Sequence, residues 1–164
     1  MLIAIVSDTH LPRGSRRLPA DCVARIRRAD LLLHAGDVVT AGVLDELAAI
    51  GPPLLGVHGN VDDAAVRARL PERRVVEAAG VRIGMVHDAG PAKGRLARLR
   101  RAFPGCDAVV FGHSHIPLHE RDAGGFQIFN PGSPTDRRRQ PRFTMGEARV
   151  ANGALEFAIC EIEV

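Results

Sequence analysis

The sequence predicts an α/β fold in which two β-sheets pack face to face and helices cover their outer faces. In the first half of the chain, short apolar runs alternate with stretches that place apolar residues at helical spacing, a pattern typical of βαβ units with parallel strands. In the second half, apolar runs separated by turn residues indicate antiparallel hairpins. No linker or internal repeat interrupts the 164 residues, so a single domain over residues 1–164 is expected.

The first half contains three predicted strands and two predicted helices. Each strand is a short apolar run that ends in polar residues, which suits a strand buried in a parallel sheet. The strands cover residues 2–6, 31–33 and 54–57, and the helices cover residues 20–28 and 43–50.

The second half begins with a predicted hairpin of residues 74–78 and 81–86, which flank the turn residues Ala79 and Gly80. A basic helix follows over residues 94–103 and is closed by a Pro-Gly pair. Further strands are predicted at residues 108–111, 126–129, 143–150 and 155–162, with an Ala-Asn-Gly turn before the last.

Composition and patterning exclude several classes of protein. No stretch approaches the roughly 18 consecutive apolar residues of a membrane span, so no transmembrane helix is predicted. The first residues carry neither a basic leader nor a cleavage site, so we expect a strand there rather than a signal peptide. Cys22, Cys106 and Cys160 have unrelated spacings, which argues against a disulfide framework, and all three are expected to be reduced and buried in a cytoplasmic protein.

The charge balance is only weakly basic. The formal net charge is +3, and Lys93 is the only lysine among 22 basic residues. The arginine excess indicates a compositional preference rather than a binding surface, because proteins that bind polyanions concentrate their charge on one face. Nucleic acid is therefore possible but not favoured as a partner.

Polar residues collect at the carboxyl ends of the predicted strands, where open α/β sheets build their sites. Seven of them follow five strands: Asp8, His10, Asp37, Asn60, His87, His113 and His115. Carboxylates and imidazoles that meet at one sheet edge would repel or stay unsatisfied without a cation between them. A pair of divalent metal ions resolves this conflict, and oxygen and imidazole ligands together suit Mn²⁺, Fe²⁺, Zn²⁺ or Ni²⁺.

The spacing of these residues supports the same interpretation. Asp8 and His10 lie two residues apart just beyond a strand, as do His113 and His115, so both members of each pair can face one cation. Glycine allows close approach of the backbone, and it directly precedes three of the seven residues, at positions 36, 59 and 112.

With these residues the sequence resembles the calcineurin-like metallophosphoesterase superfamily, and in particular its small prokaryotic phosphodiesterase branch. The ordered motifs of that family are D-x-H, G-D, G-N, a lone strand-end His and G-H-x-H. They stand here as Asp8-Thr-His10, Gly36-Asp37, Gly59-Asn60, His87 and Gly112-His-Ser-His115. Asn130-Pro-Gly-Ser133 also resembles a short motif of this branch, and the likeness runs from Ser7 to about Arg142.

The resemblance implies a two-sheet α/β sandwich with a centre of two divalent metal ions, manganese being expected and nickel, iron, zinc or magnesium the alternatives. The implied ligands are Asp8, His10 and His115 for one ion, Asn60, His87 and His113 for the other, and Asp37 as a bridge. A hydroxide shared by the two ions would attack the phosphorus of a small phosphate ester. Asn60 would also contact the phosphate.

Val61 departs from the family pattern, because many members carry a histidine there that is thought to protonate the leaving oxygen. Valine cannot transfer a proton, so the acid would be Asp62, His58 or metal-bound water. General acid catalysis contributes roughly 10²–10⁴-fold. Its loss favours diesters and other substrates with good leaving groups over monoesters.

Several neighbouring residues have more modest expected roles. His34 is expected to pack near the site without binding metal, His58 to line the pocket unless it acts as the acid, and His119 to lie at the surface. Asp88 could orient the imidazole of His87 or lie in a solvent-exposed loop. The arginine run 137–139 could reach a second phosphate of the substrate or remain a solvated loop.

Two other functions stay open. A nuclease acting on longer nucleic acid would need a basic track leading to the metals, and its binding would depend steeply on salt. A non-catalytic scaffold would use the same fold for protein interaction, as the related retromer subunit is thought to do. Relatives of this size often form dimers or tetramers, so a homo-oligomer is a further possibility by analogy.

Overall fold

The computed structural model describes residues 1–14 and 16–163, which form ten strands and four helices. In chain order the elements are β1 (Leu2–Val6), α1 (Ala20–Arg27), β2 (Leu31–His34), α2 (Ala41–Ala48), β3 (Leu54–Gly56), α3 (Ala64–Arg69), β4 (Arg73–Ala78), β5 (Val81–Val86), α4 (Arg95–Ala102), β6 (Ala108–Val110), β7 (Leu118–Arg121), β8 (Gln127–Asn130), β9 (Phe143–Ala151) and β10 (Ala154–Ile162).

The first sheet has the strand order β10-β9-β1-β2-β3. Strands β1, β2 and β3 run parallel, whereas β9 pairs antiparallel with both β1 and β10. Because parallel strands end at the same edge of a sheet, the segments after β1, β2 and β3 meet there. These segments contain the predicted ligands Asp8, His10, Asp37 and Asn60.

The second sheet has the strand order β4-β5-β6-β8-β7. Its three central strands β5, β6 and β8 run parallel, and the edge strands β4 and β7 run antiparallel to their neighbours. The segments after β5 and β6, which contain His87, His113 and His115, therefore lie at one edge. Both sheets thus bring their predicted ligands to one end of the molecule.

The core lies between the two sheets, with smaller apolar layers under the helices. Strand β1 contributes to both layers, because its side chains alternate between the two faces of the sheet. Ile3 and Ile5 pack into the core between the sheets, whereas Ala4 and Val6 face α1. Helix α4 covers the outer face of the second sheet through Leu99. The predicted arrangement of two stacked sheets with helices outside is confirmed.

Two elements were missing from the sequence prediction. Helix α3 has only six residues, Ala64–Arg69, and follows the N-cap Asp63, whose side chain accepts a hydrogen bond from Val66 N. Strand β7 pairs with β8 but is mostly exposed, so it lacks the apolar alternation by which a strand is recognised. Helix α2 also begins two residues earlier than predicted, at Ala41 after the N-cap Thr40.

The expectation that all three cysteines are buried is wrong for two of them. All three are free thiols, but only Cys22, on the buried face of α1, is fully enclosed, and burial raises the pKa of its thiol to about 12. Cys106 follows a Pro-Gly loop and Cys160 lies on the edge strand β10, and both are partly exposed. In the part of the chain that the structure describes, no helix is long and apolar enough to cross a membrane.

Candidate metal centre

The predicted ligands lie in loops with an unusual backbone conformation. Five of the seven have positive φ: Asp8 (54°), His10 (46°), Asp37 (61°), His113 (68°) and His115 (59°). Non-glycine residues rarely adopt this left-handed region, which costs them roughly 1–2 kcal/mol each. Such strain persists where the surrounding structure fixes the residue, and it concentrates at functional sites.

One cluster of potential ligand atoms comes from Asp8, His10 and His115, all of them buried and within 4.8 Å of one another. The distance from His115 Nε2 to Asp8 Oδ1 is 3.4 Å, and that from His10 Nε2 to the same oxygen is 3.9 Å. The three side chains correspond to the group expected to hold the first ion.

A second cluster contains Asp8, Asp37 and His87, again within 4.8 Å. His87 Nε2 lies 3.3 Å from Asp37 Oδ2 and 3.2 Å from Asn60 Oδ1, which in turn lies 2.9 Å from His113 Nδ1. The residues expected around the second ion are therefore neighbours as well. Asp37 Oδ2 is also 3.4 Å from His10 Nε2, so this carboxylate lies between the two clusters.

Two buried nitrogen atoms in the centre, His10 Nε2 and His115 Nε2, have no hydrogen-bond partner among residues 1–14 and 16–163. A buried polar atom without a partner is costly, and in native structures it calls for a bound ion or water. Both atoms lie within 4 Å of an Asp8 oxygen. The orphaned nitrogen atoms and the mixed carboxylate and imidazole donors fit divalent metal ions.

Main-chain carbonyls fix the orientation of two of the imidazoles. His87 Nδ1 lies 2.7 Å from Ala35 O, and His115 Nδ1 contacts Asp136 O. A carbonyl oxygen only accepts hydrogen bonds, so each Nδ1 carries a proton, and each ring, when it is neutral, presents an unprotonated Nε2 to the centre. This arrangement fixes the tautomer that a metal requires.

The electrostatics of the second cluster favour positive charge. Burial would raise the pKa of the Asp37 carboxyl, but the hydrogen bond and charge of His87 outweigh burial and lower that pKa to about 2. Burial alone would lower the pKa of His87, but the hydrogen bond to Asp37 and the charge of Asp8 outweigh burial, so the pKa of His87 is raised. A divalent cation would supply the charge that this group attracts, in competition with the proton.

Asp62, one of the three candidate acids, lies beneath the site rather than in it. Its buried carboxylate accepts hydrogen bonds from the main-chain N–H groups of Gly59 (2.6 Å), Val39 (2.6 Å) and Asp37 (3.1 Å). These bonds join the loop after β2 to the turn after β3. The geometry favours a positioning role for Asp62 over proton transfer to a substrate.

The segment after β8 joins the first ligand loop to the last. Ser133 Oγ donates a hydrogen bond to Asp8 O (2.8 Å), Thr135 Oγ1 donates to Thr9 O (2.6 Å), and Asn130 Nδ2 donates to Gly112 O (2.9 Å). The sequence singled out residues 130–133 as a motif but gave no signal for Thr135 or for the Asp136 carbonyl.

Glycine is required at two positions for steric reasons. A Cβ atom on Gly59 would lie 2.1 Å from Asp37 Oδ1, and one on Gly112 would lie 1.9 Å from Ser7 Oγ and 2.7 Å from Asp8 Oδ2. All three distances are far below van der Waals contact. The expectation that glycine allows close approach beside the ligands is confirmed.

His34 and His119 lie where the sequence analysis placed them. His34 is fully buried beside the site, and burial lowers the pKa of its imidazole to about 4. Its Nδ1 accepts from Gly36 N, so the protonated Nε2 donates to Thr9 Oγ1. His119 is exposed and packs against Phe129.

The structure also places the other residues that the sequence singles out, which are His58, Asp88 and the arginine run 137–139. His58 is half-buried and lines a cavity next to Asn60 and His87. Asp88 is exposed and accepts a hydrogen bond from Gly90 N, so it belongs to a loop turn, and the Ala35 carbonyl orients His87 in its place. In the arginine run 137–139, Arg137 donates to Gln140 O, and all three residues are exposed, as a solvated loop would be.

Comparisons with known proteins give matches over most of the chain. Residues 1–153 match the family model of the calcineurin-like phosphoesterase superfamily domain. A probable metallophosphoesterase of Methanothermobacter thermautotrophicus is 34% identical over 137 residues, which are 82% of this chain and 78% of that relative.

Solved structures share the fold. A zinc complex of Vps29 from Entamoeba histolytica has a TM-score of 0.76 at 21% identity, and the match covers 98% of this chain and 99% of that one. A novel archaeal phosphodiesterase has a TM-score of 0.75 at 20% identity, with 98% and 100% covered. At this level of identity the likeness concerns the fold alone.

Proposed function

The chain belongs to the calcineurin-like phosphoesterase superfamily, and we propose that it is a divalent-metal-dependent phosphodiesterase acting on a small phosphate diester. One observation carries this proposal. Two clusters of buried carboxylates and imidazoles share Asp8, and two of their nitrogen atoms have no hydrogen-bond partner in the part of the chain that the structure describes. Paired metal sites of this kind are typical of enzymes that hydrolyse phosphate esters.

The proposed ligands are those that the resemblance implies. Asp8, His10 and His115 would hold one ion, Asn60, His87 and His113 would hold the other, and Asp37 would touch both. Bound divalent cations supply Lewis acidity, which polarises phosphoryl oxygens and lowers the pKa of water. Manganese is the proposed metal, and zinc is a supported alternative because a Vps29 of the same fold is a zinc complex.

Side chains at the site would orient the substrate. Asn60 is exposed at the mouth, with Oδ1 beside the imidazoles of His87 and His113. Because Oδ1 is directed at the ligand cluster, the amide N–H₂ of Asn60 is the donor available to a phosphoryl oxygen.

A preference for diesters follows from the shortage of proton donors. Val61 is 42% exposed beside Asn60 and has no proton to give, and the Asp62 carboxylate is already engaged with three main-chain donors. His58 is then the remaining side-chain candidate for the acid, because it lines the cavity next to Asn60. Substrates whose leaving groups need little protonation are therefore favoured.

The proposal can be tested with two chromogenic esters. The purified protein is stripped of metal and assayed on bis-p-nitrophenyl phosphate and p-nitrophenyl phosphate, with Mn²⁺, Zn²⁺, Ni²⁺ or Mg²⁺ added back. Asp37→Ala and His113→Ala should lose at least about 100-fold in diester hydrolysis, because each removes a ligand. His119→Ala, which changes an exposed histidine elsewhere, is the matched control and should stay within about twofold of the wild type.

Each alternative predicts a different result. Faster turnover of the monoester would require a proton donor, and His58→Gln would then be the decisive variant. Steep salt dependence of activity on single-stranded DNA would support the nuclease instead. If no metal restores hydrolysis although two ions bind, the enzyme proposal fails and a metal-binding scaffold becomes the better explanation.

A further inference from the structure

A cavity of about 320 Å³ opens beside the proposed second metal position. It shares Asn60 and His87 with the candidate centre, and its other walls come from the turn after β3, from α3 and from the start of β4. Any group in this cavity would therefore be next to a phosphate bound at Asn60. The volume suits one small substituent rather than a long polymer.

The wall formed by the turn after β3 is built before any ligand arrives. Arg67 donates from Nε to Asp62 O (2.9 Å) and from Nη2 to the carbonyls of Gly59 (2.9 Å) and Asn60 (3.0 Å). His58 N donates to Pro71 O, which joins the end of β3 to the chain entering β4. A preformed wall lowers the entropic cost of binding.

The two arginines of the cavity, Arg67 and Arg73, have no acidic partner among the described residues. Arg67 bonds only to neutral carbonyl groups, and Arg73 lies 5.8 Å above the Phe103 ring without any ion pair in residues 1–14 and 16–163. Glu72 and Asp88 also border the cavity, but both are exposed and neither is paired with an arginine in the described chain. The Arg73 guanidinium and the Nη1 group of Arg67 are thus available to an anion, and Arg73 can bind it through parallel hydrogen bonds.

We infer that this cavity receives one ester arm of the substrate, and that the arm carries its own anionic group, a carboxylate or a second phosphate. Arg73 would be the main selecting residue, and Arg67 on α3 would add a second positive charge. The inference rests on the proposed phosphodiesterase function and narrows its substrate class. Glu72 on the rim would weaken the attraction by its like charge.

The test uses two symmetric diesters, so that the cavity holds the same arm in either orientation. Bis(4-carboxyphenyl) phosphate has charged arms, and bis-p-nitrophenyl phosphate has neutral arms of similar shape. In the metal-loaded enzyme, Arg73→Gln should raise KM roughly tenfold for the carboxylated diester, because a charge-assisted contact is lost. The KM for the nitrophenyl diester should change by less than about twofold.

Three further variants separate the cavity from general effects of charge. Arg73→Lys should recover part of the affinity, and Glu72→Gln should lower KM for the carboxylated diester. Arg101→Ala removes an exposed charge from α4, outside the cavity, and should leave both KM values unchanged. Melting temperatures of all variants verify folding.

The outcomes distinguish this inference from the proposed function. If Arg73→Gln raises both KM values equally, or neither, the cavity does not select an anionic arm and the inference is wrong, although diester hydrolysis stands. If wild-type protein hydrolyses neither diester, the proposed function fails. Calorimetric titration of bis(4-carboxyphenyl) phosphate into His113→Ala and into the His113→Ala, Arg73→Gln double variant then decides, because only a selective cavity makes the second Kd roughly tenfold weaker.

Discussion

At the scale of single residues, Asp62 connects two ligand loops through its carboxylate. Its oxygens accept hydrogen bonds from the N–H groups of Asp37 and Gly59. Asp37 is itself a predicted ligand, and Gly59 directly precedes the predicted ligand Asn60. Asn at position 62 would turn one acceptor into a donor that faces an N–H group. The site would then lose a buried hydrogen bond and gain a repulsive contact.

We therefore predict that Asp62→Asn weakens metal binding by roughly 10- to 100-fold, as changes to groups that orient metal ligands do. Calorimetric titration of Mn²⁺ into metal-free protein would measure this change, with Asp63→Asn, which keeps its capping oxygen, as the control. An unchanged metal affinity combined with a large drop in kcat would contradict a positioning role and restore Asp62 as the acid.

At the scale of elements, helix α3 carries Arg67, and Arg67 holds the turn that contains Asn60. Six residues are too few for a helix to be stable from its intrinsic propensity, so its N-cap and its packing must sustain it. The cap is Asp63 Oδ1, which accepts from Val66 N at 2.8 Å, and Val66 is also fully buried.

Loss of the cap should cost about 1 kcal/mol, because a first-turn N–H group loses its partner. We predict that Asp63→Ala lowers the free energy of unfolding by this amount in urea titrations, whereas Asp63→Ser stays close to the wild type. If Asp63→Ala were as stable as wild type, burial of Val66 alone would hold the helix.

The elements also show which features the sequence could predict. Strands β1 and β2 are recognisable because each is a short apolar run followed by polar residues, and β5 is apolar except for the exposed Arg82. The seven ligand candidates are visible for the same reason, since each follows such a run. Helix α3 and strand β7 are too short or too exposed to leave a periodic pattern.

Other parts of the site depend on main-chain contacts that cannot be predicted from residue types. The carbonyl groups of Ala35 and Asp136 orient two imidazoles, and any residue could supply a carbonyl there. The sequence makes Asp62 a candidate acid because it does not reveal that the carboxylate accepts three main-chain hydrogen bonds. Two of the three donors, Asp37 N and Val39 N, lie more than 20 residues away along the chain. Such long-range main-chain geometry emerges only from the packed fold.

At the scale of the whole molecule, the centre lies across the junction of the two sheets. Segments after β1, β2 and β3 contain the candidate ligands from the first sheet, and segments after β5 and β6 contain those from the second. A metal ion held by Asp8 and His115 would therefore join the two sheets directly. Binding to the folded state alone then stabilises the whole fold.

We predict that saturating Mn²⁺ or Zn²⁺ raises the melting temperature of the metal-free protein. At a free metal concentration roughly 100 times Kd, the expected gain is about 2.7 kcal/mol in the free energy of unfolding. Scanning calorimetry with and without metal would measure it, and Asp37→Ala should lose most of the shift. An equal shift in wild type and Asp37→Ala would show that the metal binds elsewhere.

The left-handed conformation of five predicted ligands has a consequence for how such a chain changes over evolutionary time. At Asp8, His10, Asp37, His113 and His115 the backbone alone would favour glycine. Only a benefit from the side chain opposes that substitution, so we expect these positions to drift toward glycine in any lineage that has stopped using metal. Retention of Asp and His at such strained positions then indicates continuing selection for the metal centre.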